Sequence, residues 1–265
     1  ARGPPPGRAG NAADAALRAR SPALALEIDQ MQRRELPAGW DSQLPVFAAD
    51  PKGLAGRDAS GQVLNLLAQS VPWLIGGSAD LGSSNKTTLK YPGAGDFQPG
   101  SPGGKNLHFG IREHAMAAAV NGMALSKLRP CGATFFIFSD YARPAIRLAA
   151  LMELPSLFVF THDAMGDGED GPTHQPIEQL ASLRAMPGLT VLRPGDANEV
   201  VEAWRVALRS PHRPTALVLS RQALPTLDRS RLAPAAGVSR GAYGLADAAG
   251  GAGPALVLLP RGRGG

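Results

Sequence analysis

The 265-residue sequence is poor in cysteine, in aromatic rings and in long apolar runs. Cys131 is its single cysteine, so no disulfide can form within the chain, and a reducing, cytoplasmic setting is expected. Apolar stretches such as Leu256 to Pro260 fall far short of the ~18 residues that a membrane span needs, so no membrane partner is expected. The opening ARGPPPGRAG lacks the apolar segment of a signal peptide. The chain begins with Ala1 rather than Met and reads as a piece of something longer. Arg2, Arg8, Arg18 and Arg20 have no aromatic residue among them, which argues for a solvated end rather than a nucleic-acid-binding tail.

What is present suits a soluble globular protein. Hydrophobic residues make up 44% and charged residues 18%, enough for one large domain or one and a half. The net charge of +5 belongs to the ends. Residues 1–20 carry +3 and residues 229–265 carry +4, which leaves −2 for the body between them.

Organisation follows composition. Residues 1–24 are rich in Ala, Gly, Pro and Arg and are expected to hold little order. A short helical pattern over 25–46 ends at Leu36-Pro37 and gives way to a loop with Trp40. Ala55 to Gln69 predicts a helix with Val63, Leu64, Leu66 and Leu67 inward, and Trp73 to Gly77 a short buried strand. Residues 82–106 predict a long loop. Met116, Ala119, Val120, Met123 and Ala124 recur at helical spacing on a helix opened by Glu113. Ser156 to Thr161, Leu189 to Leu192 and Thr215 to Leu219 are continuous apolar runs, the mark of strands buried on both faces. A helix between the last two turns Val200, Val201, Trp204, Ala207 and Leu208 inward and starts at an Asp196–Glu199 capping pattern. The class is α/β, with a mainly parallel sheet flanked by helices.

Ligands of open α/β sheets bind beyond the carboxyl ends of the strands. Unusual polar residues fall there: Ser78-Ala79-Asp80, Thr161-His162-Asp163 and Ser220-Arg221-Gln222. His162 and His174 lie in or beside one loop, so two histidines converge on arginine and aspartate.

Four segments, GGSADL (76–81), HFGIREHAM (108–116), THDAMGDGEDGPTHQP (161–176) and SRQALP (220–225), resemble transketolase. The similarity runs from about Glu35 to Arg229 and covers the pyrimidine-binding middle domain of that family. GIREHA alone leaves other thiamine enzymes open, deoxyxylulose-phosphate synthase among them. The combination of GPTHQP and SRQ favours transketolase or its near relative dihydroxyacetone synthase.

The resemblance implies transfer of a two-carbon ketol unit from a ketose phosphate to an aldose phosphate, with thiamine diphosphate as cofactor. It gives Glu113 the role of a carboxyl hydrogen-bonded to the pyrimidine N1′, promoting the imino form that takes the thiazolium proton. An apolar setting that includes Ile111 suits such a carboxyl by keeping its pKa high. Read without the family, Glu113 is equally a helix N-terminal carboxylate. Phe135, Phe138 and Tyr141, by spacing alone core aromatics, correspond to residues lining the pyrimidine pocket. Arg57, Ser84, His162 and Arg221 match positions that grip the substrate phosphate, and arginine's planar fork suits that task. Asp170 and His174 match positions that hydrogen-bond the sugar hydroxyls near the reacting carbon, so that Glu113 and His174 are the catalytic pair.

No metal ligand is expected. Gly166-Asp167-Gly168 followed by Asn198 imitates the GDG…N signature for magnesium and diphosphate, but the GDG sits inside a loop that already matches the middle domain. Asn198 reads as a helix-capping residue instead. Magnesium or calcium, with the diphosphate, would then belong to a diphosphate-binding domain on the same or another chain, and the full-length protein would be a homodimer. The expected division is a disordered tail and linker over 1–52, the pyrimidine-binding domain over 53–229, and a poorly ordered start of a C-terminal domain over 230–265. Such a chain alone would be inactive. The alternative is a non-catalytic split subunit that supplies half a site to a partner.

Overall fold

The computed structural model describes residues 8–166 and 170–247, with side chains from Ala12 onward. Two helices come first, α1 (Arg8–Arg20) and α2 (Pro22–Arg33). Then follow β1 (Asp50–Ala55), α3 (Gly56–Ser70), β2 (Leu74–Ser78), the single turn α4 (Gly82–Asn85), β3 (Asn106–His108) and α5 (Glu113–Leu125). Next are β4 (Arg129–Phe135), α6 (Ser139–Leu151), β5 (Leu157–Thr161), α7 (Gln179–Arg184) and β6 (Thr190–Leu192). The described chain ends with α8 (Ala197–Leu208), β7 (Thr215–Leu219), β8 (Ala223–Thr226) and a 3-10 turn, Ala235–Arg240.

Six strands form one sheet in the order β3-β2-β4-β5-β7-β6, and every pairing in it is parallel. The expected α/β class with a parallel sheet is what the chain adopts. The all-buried sequences LFVFT and TALVL explain why β5 and β7 lie in its interior, since no residue of either faces water. β1 and β8 make a separate antiparallel pair. Two apolar clusters cover the two faces of the main sheet. One gathers Val63, Leu64 and Leu67 of α3 with Trp204 and Leu208 of α8; the other gathers Val120 of α5 with Ile146 and Ala149 of α6. Buried polar bonds fix the helices. Trp204 Nε1 donates to Ser60 Oγ at 2.9 Å, and Asn121 Nδ2 donates to the Ala145 carbonyl at 2.8 Å. Gly77 is required by close approach, because a Cβ there would stand 1.7 Å from the Leu107 carbonyl oxygen.

Several expectations need correction. Residues 8–33 are two helices rather than a formless tail, because the alanine and arginine that make the segment look low in complexity are also the best helix formers. Arg18 joins the pair through two bonds of 2.9 Å to the Asp29 carboxylate. Residues 230–247 are not loose either: the 3-10 turn packs on α8 and buries Ala235, Gly237 and Val238. Residues 1–7 and 248–265, with Leu256 to Pro260 and the last arginines, lie outside the described residues. On α5 the buried face is Glu113, Met116, Ala117, Val120, Asn121 and Ala124, and Ala119 is exposed. The helix is rotated from the apolar reading because two hydrogen-bonded polar residues share its inner face.

Candidate active site

The parallel register lines up the ends of the central strands. Phe135 closes β4 opposite Thr161 of β5, and Thr161 stands opposite Leu219 of β7. One residue further, His162 and Ser220 leave the sheet together. Two non-glycine residues beyond these ends hold left-handed backbone, Asp80 at φ 62° and His162 at φ 62°. Such conformations cost about 1–3 kcal/mol and persist only where surroundings enforce them.

His162 is buried, and its ring lies 3.8 Å from that of Phe135. Phe135 and Phe138 stack at 5.9 Å with 17° between planes, and His174 meets both edge-on, 5.9 Å from Phe135 and 5.2 Å from Phe138. Tyr141 continues the row 6.0 Å from Phe138 and is 65% exposed. The fold thus brings both histidines of the 161–176 segment onto one aromatic row, with Tyr141 at its outer end.

Cations crowd the same histidine. Burial, then the charges of Arg57 and Arg221, push the His162 pKa down to about 4, against a smaller opposing pull from Asp170. Arg57 sits in the first turn of α3, where its backbone N–H donates to Ser220 O at 3.1 Å and its Nη1 to Ser84 O at 3.2 Å. The Arg57 Nε is buried with no partner among the described residues. Arg57, read without the family as a solvated helix-start arginine, is instead half-buried between α4 and the end of β7. Asp170 is exposed, and His174 closes the 3-10 turn Pro172–His174 with its Nδ1 2.9 Å from Thr173 Oγ1.

Glu113 opens α5 and is buried; Thr134 of β4, one residue before Phe135, donates its hydroxyl to Glu113 Oε1 at 3.4 Å. Ile111 is 79% exposed and supplies no apolar wall from this chain, contrary to expectation.

Asn198 spends its side chain on the linker, accepting from Phe47 N and donating to Phe47 O, both at 2.9 Å. Asp167 lies outside the described residues. Among the described residues no group of three or more His, Cys, Asp or Glu could hold a metal ion. Burial pushes the Cys131 thiol up to about 12, which makes it inert at neutral pH.

Residues 52–226 match the family described as "Transketolase, pyrimidine binding domain". The chain belongs to that transketolase family. It is 56% identical over 238 residues to the transketolase of Geobacillus stearothermophilus, covering 89% of this chain and 35% of the relative. The solved transketolase of Leishmania mexicana superposes with a TM-score of 0.83 at 43% identity, over 89% of this chain and 34% of that one. A protein titled "Split gene transketolase, inactive beta4 tetramer" superposes with a TM-score of 0.54 at 28% identity, over 66% of this chain and 54% of that one. The chain therefore spans about a third of the length of the full transketolases it matches.

The transketolase motifs explain why the sequence points to His162, His174, Phe135 and Phe138; Ser78 and Thr161 stand out there only as polar strand-end residues, and Asn85 of α4 does not stand out at all. Ser78, Asn85 and Thr161 are buried and hydrogen-bonded in series beneath His162. The available signal was hydroxyl and amide side chains at the close of buried strands, where an apolar residue would pack without needing a partner.

Proposed function

We propose that this chain is the pyrimidine-binding half of a thiamine-diphosphate-dependent transketolase, transferring a two-carbon ketol unit between ketose and aldose phosphates. The observation that carries the reading is the buried Glu113 carboxyl, held from Thr134, one residue from the Phe135–Phe138 aromatic pair. A carboxyl that accepts one long hydrogen bond among the described residues has capacity left for a ring nitrogen, and stacked phenyl rings suit a flat heterocycle, so these residues fit the pyrimidine of the cofactor. When bound, thiamine diphosphate would supply the thiazolium carbon that carries the ketol unit.

The chain's own residues then divide the work. Glu113 holds the proton shared with the pyrimidine N1′, and Phe135, Phe138 and Tyr141 wall the ring from water. Arg57, Ser84, His162 and Arg221 receive the sugar phosphate, whose charge offsets the crowding of Arg57 and Arg221 around His162. Asp170 and His174 hydrogen-bond the hydroxyls beside the reacting carbon, with His174 the second catalytic residue. Magnesium or calcium would be held with the diphosphate by a diphosphate-binding domain, on the same chain's remainder or on a partner chain as in a split gene. The assembly would be a homodimer of such complete units in the cytoplasm.

Mixing this chain with a separately produced diphosphate-binding domain tests the reading. Neither part alone should transfer a ketol unit, and the mixture should. Glu113→Gln should lower the mixture's rate by about 100-fold or more, the scale of a lost proton-transfer group. Tight, magnesium-dependent binding of thiamine diphosphate by this chain alone, measured by calorimetry, would overturn the division of the site between two domains.

A further inference from the structure

Beneath His162 runs a continuous line of short hydrogen bonds that no role described above uses. Leu81 N donates to Ser78 Oγ at 3.1 Å. Ser78 Oγ donates to Asn85 Oδ1 at 2.7 Å, and Asn85 Nδ2 donates to Thr161 Oγ1 at 2.7 Å. Thr161 Oγ1 stands 2.9 Å from His162 Nδ1. Asn85 and Thr161 are fully buried, and Ser78 and His162 nearly so. Two strand ends and one short helix are stitched together, over a separation of 76 residues between Asn85 and Thr161.

We propose that Ser78, Asn85 and Thr161 are positioning residues that fix the tautomer of His162, with the lone pair on Nδ1 and the proton on Nε2. The direction of each bond follows from what each group can give. A backbone N–H only donates, so Ser78 Oγ accepts from Leu81 and has one proton to place. The Ala133 carbonyl, 3.0 Å away, already accepts from Ala79 N, and the shorter contact is to Asn85 Oδ1. With its oxygen engaged there, Asn85 turns its amide N–H to Thr161. Thr161 Oγ1 accepts that bond, and His162 Nδ1 is the one acceptor within reach of its own proton among the described residues, so Nδ1 offers a lone pair. Asparagine suits the middle position because one planar group carries an acceptor and a donor on opposite arms.

The consequence lies at the other ring nitrogen. Nε2 has no hydrogen-bond partner among the described residues, and as an N–H it is a neutral donor on a ring that feels the charges of both Arg57 and Arg221. The opposite tautomer would turn a lone pair towards an anion and repel it. This step rests on the proposed phosphate role of His162, whereas the tautomer itself does not. The same line of bonds ends at a residue with left-handed backbone, and Ser84, beside Asn85 on α4, carries the carbonyl that receives Arg57.

Proton–nitrogen correlation NMR on the nitrogen-labelled chain reads the tautomer directly, with the His162 ring assigned by its loss in His162→Gln. The wild-type ring should carry its proton on Nε2. Thr161→Val keeps the shape and removes the hydroxyl, and the proton should move in part to Nδ1; Thr161→Ser should restore the wild-type pattern. Asn85→Asp is a second route that leaves Thr161 in place: a carboxylate there draws the Thr161 proton away, and Nδ1 should gain one. A wild-type ring protonated on Nδ1, or a tautomer indifferent to both Thr161→Val and Asn85→Asp, would overturn the proposal. Titration with inorganic phosphate separates the two layers. An Nε2–H resonance that shifts with phosphate supports both, and the expected tautomer with an unmoved resonance would refute the phosphate role while upholding the relay.

Discussion

Two buried polar networks stand beyond the carboxyl ends of the sheet, one over its central strands and one at its β6 edge, and they end differently. At the edge, Asp196 caps α8 by accepting from Glu199 N at 2.8 Å and also accepts from Leu227 N at 3.1 Å. Arg229 reaches Asp196 at 2.9 Å and Glu199 at 3.4 Å, Tyr243 bonds Glu199 Oε1, and Gly195 N bonds Glu199 Oε2. All four carboxylate oxygens thus have donors. The central network instead runs from Leu81 to His162 and stops at a ring whose second nitrogen has no partner among the described residues. A network whose carboxylates are all answered fastens chain to chain, here the segment after β8 onto α8, and among the described residues it leaves only the enclosed Arg229 Nε without a partner. One that ends in an unused donor aims that donor at something else.

The largest effect should come from cutting the edge network. Arg229→Met leaves Asp196, whose side chain is fully buried, without its countercharge. Breaking a buried pair from one side typically costs about 3–5 kcal/mol. Denaturant unfolding should register a loss of that size, with the His162 tautomer unchanged. A tautomer change in Arg229→Met would mean that the two networks are one and would break the comparison.

The same contrast marks what could be read from sequence. β5, β6 and β7 were legible because they are continuous apolar runs, and the inward face of α8 because Val200, Val201, Trp204, Ala207 and Leu208 are all buried. β4 was not, since Arg129, Pro130 and Gly132 break the run; Arg129 is buried only because its guanidinium caps the carbonyls of Leu208 and Ser210 at the end of α8. β1 carries no alternating pattern and exists through its pairing with β8, far away in the chain. In the site, residues inside recognisable segments were found at once. Asn85 was not, and Ser78 and Thr161 showed only as polar strand-end residues, because the hydrogen bonds that join the three are fixed by the fold rather than by spacing.

A second, smaller effect sharpens the comparison from the central side. A free histidine titrates near 6.5, whereas burial and the cations Arg57 and Arg221 hold His162 down at about 4. Between those values the unfolded chain binds a proton that the folded chain refuses. Stability is therefore complete above about pH 6.5 and is lost as pH falls towards about 4, in all by of order 3 kcal/mol. Other groups also titrate there, so the informative quantity is the difference in slope between the wild type and His162→Gln. Equal slopes in the two proteins would show that His162 takes up its proton as freely in the fold as outside it.

The smallest effect concerns Asn198, which lies at the edge beside Asp196 yet belongs to neither network. Its two 2.9 Å bonds to Phe47 hold the linker against the first turn of α8 and involve no charge. Neutral hydrogen bonds contribute about 0.5–1.5 kcal/mol each, and the backbone groups left behind belong to half-buried Phe47, where water can take the place of the lost amide, so Asn198→Ala should cost at the lower end, about 1 kcal/mol. The loss should also be local. Amide hydrogen exchange should quicken at Phe47 and its linker neighbours while the exchange of β5 and β7, governed by global unfolding, stays close to the wild type. The same variant decides the meaning of the GDG…N imitation. In the mixture with a diphosphate-binding domain, a linker clamp can be removed without changing the magnesium dependence of ketol transfer. A raised magnesium requirement in Asn198→Ala would make the residue a metal ligand after all, and would move part of the diphosphate site onto this chain.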